Sequence, residues 1–377
     1  MFLSAKAQSR MENIVTLDVI IPSVRSDSVA LNKILQLPHS DALRVTFCIV
    51  QDNPSDIALP KAKIANAQVL VVRNPTNLGA PMSRNVGIAA TCSEWILFLD
   101  DDVEPQTDLL FHYEEFICKH GSVYMGAIGM TQFPPPVNSF TRGIRASDIL
   151  TFFEIAGWYS SLKWGITANV LINRGAIVRQ RFSSDYPKNG GGEDIDFFLR
   201  CGVNGERNFL CLPHARVQHG WWFAGKRTYR RFFRWAYGDS LLPKRFPRFK
   251  FWNFPNIAEL MLLWLVALPL CVYVDSALAV LIPLGILLGD AGVEYLKQII
   301  EKHTWNPLVA LEAAAIRCAN DFGRCCGNLS RRRIWFIGER FDYFCDGKHI
   351  KHERLWALLK TAGYAVGFWL LLRMLHL

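Results

Sequence analysis

The chain has 377 residues, 51% hydrophobic, 12% aromatic and 20% charged, which exclude a disordered, collagen-like or coiled-coil protein. Its length exceeds one compact core of usual size, and its mean hydropathy of +0.13 points to membrane-embedded segments. Forty-two Lys and Arg against 33 Asp and Glu give a net charge of +9, suited to anionic lipid, phosphorylated substrates or nucleic acid.

In chain order, the polar stretch Met1–Asn13 lacks the apolar run of a signal peptide, so the soluble part is expected in the cytoplasm. Ten scattered cysteines with no CxxC spacing fit a reducing compartment and argue against a zinc cage. Val15–Ile21, Val45–Val50, Gln68–Val72 and Trp95–Leu99 are apolar runs of strand length. Between them Ser28–Leu37 and Pro81–Ala90 are helical in pattern. Strands that are apolar on both faces, with helical crossovers, predict a parallel sheet covered on both sides. Ligands then bind beyond the carboxyl ends of the strands. Those ends read Pro22-Ser23, Gln51-Asp52-Asn53, Arg73-Asn74 and Asp100-Asp101-Asp102.

The three successive carboxylates Asp100, Asp101 and Asp102 repel one another. Either a divalent cation held by oxygen ligands relieves them, or they form a solvated acidic turn. The turn Arg73–Asn85 carries Asn77, Gly79 and Arg84 ahead of a helix N-terminus that accommodates anions, yet it matches neither a P-loop nor GxGxxG. From Phe133 to Trp164 the pattern is irregular and reads as a substrate-facing region. Its aromatics Phe152, Phe153, Trp158, Tyr159 and Trp164 stack on sugar, line a lipid groove or belong to the core. Order returns at Ile166–Ile172. Three glycines then precede Glu193 and Asp194, which either serve a ligand or cap the helix starting there.

Downstream, His219-Gly-Trp-Trp precedes Arg231-Phe-Phe-Arg234-Trp235, either a cationic site for a leaving diphosphate or a basic solvated or lipid-facing helix. Residues 226–250 hold nine Lys and Arg against the single acid Asp239. Ile257–Gly289 follows with only Glu259 and Asp275 charged. As one helix it would be about 50 Å long, so two spans turning at Asp275-Ser276 fit better than one. The other reading is a buried hairpin of a soluble protein, and the basic flanks favour the membrane. Leu355–Leu372, interrupted by Lys360, is of a length to span or to lie in the interface. We expect a span.

Taken together, the order of these motifs resembles an inverting family-2 glycosyltransferase of the GT-A fold, over Asp18 to Gly238. The basic and apolar C-terminal region is similar to that of its membrane-bound branches. The resemblance implies an α/β catalytic domain at 15–240 after a tail at 1–14. It also implies a juxtamembrane segment at 241–256, a transmembrane hairpin at 257–290, interfacial helices at 291–354 and a membrane helix at 355–377.

By the same resemblance, Pro22 and Asp52 hold the nucleoside, while Asn77, Gly79 and Arg84 line the nucleotide cleft. Asp100 and Asp102 are the DxD carboxylates, with Asp101 between them. Asp102 lies on Mg²⁺ or Mn²⁺, Asp100 is directed to ribose or metal, and His219 is near the metal and diphosphate. Thr167, Ala168 and Asn169 lie beside donor sugar and acceptor. Asp194 is the base of a Glu193-Asp194 pair. Arg231, Arg234 and Trp235 satisfy the R-x-x-R-W pattern of membrane-bound members.

The implied donor is a nucleoside-diphosphate sugar, and the implied acceptor is lipid-linked or membrane-proximal, in cell-envelope glycan or glycolipid synthesis. Membrane lipids are the expected further partners at a cytoplasmic membrane, and nucleic acid is not, because the basic residues lie beside apolar spans. With nothing before Asp18 and at most three spans after it, one sugar per acceptor is expected. The alternatives are a membrane-docked transferase acting on a soluble glycan and a catalytically silent nucleotide-sugar-binding protein. A nucleotidyltransferase is disfavoured because no glycine-rich basic loop follows Ile21.

Overall fold

The computed structural model describes residues 14–25, 29–55, 67–202 and 207–374. Most of the expected N-terminal tail and the last three residues of the expected C-terminal helix lie outside the described residues. The chain divides into two compact units. The first is Met1–Pro134, Thr151–Lys188 and Asp194–Gly220. The second is Pro135–Leu150, Asn189–Glu193 and Trp221–Leu377.

The first unit begins with β1 (Val15–Ser23), α1 (Val29–Leu35), β2 (Leu43–Gln51), β3 (Ala67–Arg73), α2 (Ala80–Ala90) and β4 (Trp95–Leu99). Strands β5 (Val103–Pro105) and β6 (Gly126–Gln132) flank α3 (Leu109–His120). Helix α4 (Ser139–Ala146) belongs to the second unit, and the first resumes with α5 (Thr151–Glu154), β7 (Ser161–Leu162) and β8 (Asn169–Asn173). It ends with α6 (Glu193–Cys201), whose first residue is grouped with the second unit, and β9 (Phe209–His219).

These strands form one sheet in the order β3-β2-β1-β4-β8-β6-β9-β5, with β7 beside β9. Strands β1 to β4 run parallel to one another, whereas β8 is antiparallel to both β4 and β6. The architecture is therefore α/β with a mixed sheet, as expected of a GT-A domain.

Alternation along β1 and β2 sends Leu17, Val19, Ile21, Phe47 and Ile49 into one cluster with Leu97, Leu99, Tyr113 and Phe116. Each such buried side chain contributes roughly 1.5–3 kcal/mol. In the middle of β1, buried Asp18 accepts hydrogen bonds from the Ser93 backbone N–H and hydroxyl and from Arg174 Nη2, each at 2.7 Å. That triple satisfaction accounts for a charge in a core strand.

All ten cysteines are free thiols. Burial pushes those of Cys48, Cys201 and Cys211 up to about 12, so all three are packing residues.

The second unit is helical: α7 (Arg230–Asp239), α8 (Leu242–Arg245), α9 (Ile257–Val274), α10 (Leu278–Lys302), α11 (Pro307–Ser330) and α12 (Ile350–Met374). A small ladder joins β10 (Lys250–Trp252) to β11 (Glu339–Phe341). Asn256 caps α9 by accepting from the Glu259 N–H at 2.9 Å, and the Glu259 carboxylate also pairs with Arg340 at 2.8 Å. Asp148, just after α4, accepts from Lys297, Lys302 and Arg317 and ties this segment to α10 and α11. Among the described residues α9 and α10 are long and apolar enough to cross a membrane. The turn between them is at 275–277, and α10 continues to Lys302, past the expected end of the hairpin at residue 290.

Candidate active site

Because β1, β2, β3 and β4 run parallel, their carboxyl ends share one edge, and Ser23, Asp52, Asn74 and Asp100 emerge there together. Asp52 is buried at this edge. Its Oδ1 accepts from Asn74 Nδ2 at 2.8 Å and the Leu78 N–H at 2.7 Å, and its Oδ2 accepts from the Gly79 N–H at 2.8 Å. Asn77 Nδ2 returns a bond to the Asp52 carbonyl at 3.1 Å. The carboxylate thus organises the turn entering α2, and it does so with donors of the chain itself. Gly79 holds φ at +86°, and a Cβ there would stand 2.6 Å from the Lys188 carbonyl oxygen, so only glycine fits. Pro22 is buried in β1 opposite Val50.

The three carboxylates after β4 each have a counter-charge. Asp100 Oδ1 accepts from buried Arg84 Nη2 at 2.7 Å. Asp101 accepts from the Ser23 hydroxyl at 2.8 Å and from Arg25 Nη2 at 2.7 Å. Asp102 Oδ2 faces Arg25 Nη2 at 3.3 Å, and its Oδ1 faces His219 Nε2 at 3.4 Å. Their repulsion, expected to call for a cation, is met in large part by Arg84 and Arg25. Hydrogen bonding to Asp101 holds the Arg25 guanidinium more firmly in its charged form. Arg25 lies outside the sequence motifs, and Ser23 enters them only as part of a strand end. The available signal was a basic residue two positions beyond the carboxyl end of β1, on the edge that bears the acids.

His219 arrives through register, since the antiparallel ladder of β5 and β9 places it opposite Val103. Its ring stacks on Phe133 at 5.2 Å, and Nδ1 lies 2.6 Å from the Gly220 carbonyl. A carbonyl can only accept, so Nδ1 carries the proton and donates it. Nε2 faces the Asp102 carboxylate at 3.4 Å. An imidazole nitrogen and a carboxylate oxygen placed side by side match adjacent ligands of one hard cation, and such cations take their other ligands from phosphate and water. This donor pair fits Mg²⁺ or Mn²⁺. Asp100, expected to face ribose or metal, has its Oδ1 on Arg84 Nη2. Among the described residues no group of three or more His, Cys, Asp and Glu side chains assembles as a metal cage.

Asp194, in the first turn of α6, is held by Thr167. Its Oδ2 accepts from the Thr167 N–H at 3.0 Å and from the hydroxyl at 3.1 Å. Its Oδ1 is buried and without a hydrogen-bond partner among the described residues. An oriented carboxylate with one unpaired oxygen has the form of a proton acceptor.

Ala168 and Asn169 are buried in the core. The Asn169 amide accepts from Tyr113 at 2.7 Å and donates to the Ala215 carbonyl at 2.9 Å, bridging α3, β8 and β9. Phe153 and Trp164 are buried as well, Trp164 stacked on Phe152 at 4.5 Å, while Trp158 is exposed.

In the second unit, Gly190, Gly191 and Gly192 all have positive φ. A Cβ on Gly191 would meet the Trp235 carbonyl at 2.6 Å, so the loop lies directly on α7. Glu193 Oε2 accepts from the Gly191 N–H at 2.6 Å and closes that loop. Arg231 lies over the rings of Trp222 at 4.8 Å and Trp235 at 5.7 Å, and Trp235 meets Trp222 edge-on at 5.3 Å. Arg234, on the same helix, makes no ion pair among the described residues.

A family model described as glycosyl transferase family 2 matches residues 18–179, the segment that contains the strand edge and the three acids. An uncharacterized glycosyltransferase of Haemophilus influenzae is 36% identical over 88 residues, 23% of this chain and 29% of that protein. The chain therefore aligns with under a third of that relative's length.

Crystal structures of S. aureus TarS are similar at low identity. One TarS structure gives 14% identity and a TM-score of 0.37, covering 62% of this chain and 43% of that one. TarS 1–349 gives 14% and 0.39 over 85% and 92% of the two chains. TarS 1–349 in complex with UDP-GlcNAc gives 15% and 0.39 over 60% and 67%.

Proposed function

We propose that this chain, whose residues 18–179 belong to glycosyl transferase family 2, moves one sugar from a nucleoside-diphosphate sugar to an acceptor held at a membrane. The observation that carries the proposal is Asp194, a carboxylate anchored through one oxygen by Thr167, with the other oxygen buried and without a hydrogen-bond partner among the described residues.

In this reading Asp194 Oδ1 takes the proton of the acceptor hydroxyl as the acceptor oxygen bonds to the anomeric carbon. The bond from that carbon to the diphosphate oxygen breaks, and the nucleoside diphosphate leaves with the electron pair. Attack from the opposite face inverts the centre. Asp52 serves the nucleoside side by fixing the turn Asn77–Gly79, and Arg84 orients Asp100 toward the ribose. Asp102 and His219 would hold Mg²⁺ or Mn²⁺, which when bound supplies positive charge to the diphosphate. For Arg231 and Arg234 the proposed task is neutralisation of the departing diphosphate, and this rests on the R-x-x-R-W resemblance.

The apolar helices α9 and α10 support a membrane location, with the catalytic unit on the cytoplasmic side and an acceptor that is lipid-linked or membrane-proximal. The test is transfer of labelled sugar by the reconstituted full chain into a lipid extract and, separately, into free sugars. Label in the lipid phase supports the proposal. Label only on free sugars would assign a membrane-docked transferase of soluble glycans, and label in neither would assign a silent binding protein.

A further inference from the structure

Helix α12 is outside the pair that qualifies as membrane spans by length and composition among the described residues, and Lys360 interrupts its apolar stretch. We propose that α12 is a third membrane span, with Lys360 neutralised inside the bilayer by Asp290 of α10. This rests on the membrane reading above and extends it to the topology of the chain.

The pairing fixes the direction of α12. Glu301 Oε1 accepts from Trp356 Nε1 at 2.5 Å and lies 2.7 Å from His352 Nε2. Eleven positions earlier on α10, Asp290 accepts from Lys360 Nζ at 2.5 Å and from the Tyr364 hydroxyl at 3.5 Å. Gly289 lies so close that a Cβ there would stand 2.8 Å from the Tyr364 ring. Partners on α10 fall in number as those on α12 rise, so the helices are antiparallel. The C-terminal half of α12 therefore runs along the apolar start of α10, toward the turn at 275–277.

Charge along the bundle falls into two bands with a gap between them. One band holds the pairs Glu259–Arg340, Glu294–Arg317 and Glu301–His352. The other holds Asp275 at the hairpin turn and Arg373, whose guanidinium lies 4.8 Å from the centre of the Trp369 ring. Leu278 to Glu294 is 16 positions and Arg354 to Arg373 is 19. At helical rise these are about 24 and 28 Å, close to the roughly 30 Å hydrocarbon thickness.

Within the gap, α12 exposes Leu358, Leu359, Val366, Phe368 and Leu370, a face suited to acyl chains. On α10 and α12 the charges inside the gap are Asp290, 4% exposed, and Lys360, and they pair with each other, while Asp321 of α11 lies beside them and faces Arg324 at 3.8 Å. A lone lysine or aspartate there would be costly, whereas the pair removes the objection to a span. An arginine beside a tryptophan at the far end is the side-chain pattern of a membrane–water interface.

A third span has a consequence for sidedness. The α9–α10 hairpin returns the chain to the face it left, and α12 then carries it across. The C-terminal end of α12 then lies on the side opposite to the start of α9.

The test uses the full chain with a short epitope after Leu377, in sealed vesicles prepared in both orientations. A membrane-impermeant maleimide reports the side of Cys92, an exposed thiol of the first unit, and added protease reports the side of the epitope. The proposal expects that vesicles with a reactive Cys92 protect the epitope, and that the opposite orientation reverses both. Reactive Cys92 and digested epitope in the same vesicles would place α12 in the interface and overturn the span.

A second arm compares Lys360→Leu, Asp290→Leu and the double variant. Each single change should lower membrane-inserted protein several-fold, and the double change should restore most of it. Single variants inserted at parental level would show that the pair does not neutralise buried charge. Neither readout depends on donor, acceptor or turnover, so failure here is separate from failure of the transferase reading.

Discussion

Thr167 holds one oxygen of Asp194 with two hydrogen bonds, from its backbone N–H at 3.0 Å and its hydroxyl at 3.1 Å, and the other oxygen has no hydrogen-bond partner among the described residues. If that oxygen is the proton acceptor, Asp194→Asn should lower kcat by roughly 10²–10⁴-fold, with little change in donor KM. Thr167→Val removes the hydroxyl bond and should cost about tenfold in kcat, whereas Thr167→Ser should retain most of it. Steady-state kinetics with donor varied at fixed acceptor separates these effects. Normal turnover in a folded Asp194→Asn protein would remove the residue from the chemistry.

The pairing of Asp102 with His219 predicts divalent-cation binding before donor is present. Mn²⁺ titration followed by electron paramagnetic resonance should show one site, weakened about ten- to hundredfold in Asp102→Asn and also weakened in His219→Asn. Chelation should abolish transfer, and either Mn²⁺ or Mg²⁺ should restore it. Unchanged Mn²⁺ affinity in both variants would place the cation elsewhere.

Gly79 is fixed by its positive φ and by the Lys188 backbone. Gly79→Ala should destabilise the turn by about 1–3 kcal/mol and displace the two N–H groups bound by Asp52. A raised donor KM with a smaller change in kcat is the expected kinetic mark. An alanine variant with parental KM would mean that this turn does not border the nucleotide.

Stability of the first unit depends on Asp18 and Arg174, paired at 2.7 Å with Asp18 2% exposed. Arg174→Ala strands a buried carboxylate on Ser93 alone and should cost about 3–5 kcal/mol, seen as a lower thermal midpoint in detergent. Asp18→Asn should be milder, because an amide keeps part of the bonding without the charge. Equal losses in the two variants would argue against a charge effect.

What the sequence displays openly is local. The strand Trp95–Leu99 is continuous apolar chain ended by acids, and its observed bounds match the expected ones. The starts of α2 and α6 are marked by glycine and proline or by glycine and acid, and they fall within a residue of expectation. The antiparallel entry of β8 was hidden, because an apolar pentapeptide reads alike in either direction.

Side-chain partnerships were hidden too, since they join residues far apart in the chain. Arg25 and Asp101 are separated by 76 positions, and Lys360 and Asp290 by 70. Only the sheet order and the helix packing bring such groups together. Asn169 shows the converse. Its motif placed it beside the ligand, but folding uses its amide to join Tyr113 to Ala215 in the core.

The most direct measurement of the central claim is release of nucleoside diphosphate by the membrane-reconstituted full chain. It would be run across a panel of nucleotide sugars with Mn²⁺ and with Mg²⁺, alongside Asp194→Asn and Asp102→Ala. The account predicts cation-dependent release from one donor, stimulated by acceptor lipid and lost in both variants. No release from any donor in the presence of a native lipid extract, or equal release by the variants, would contradict it.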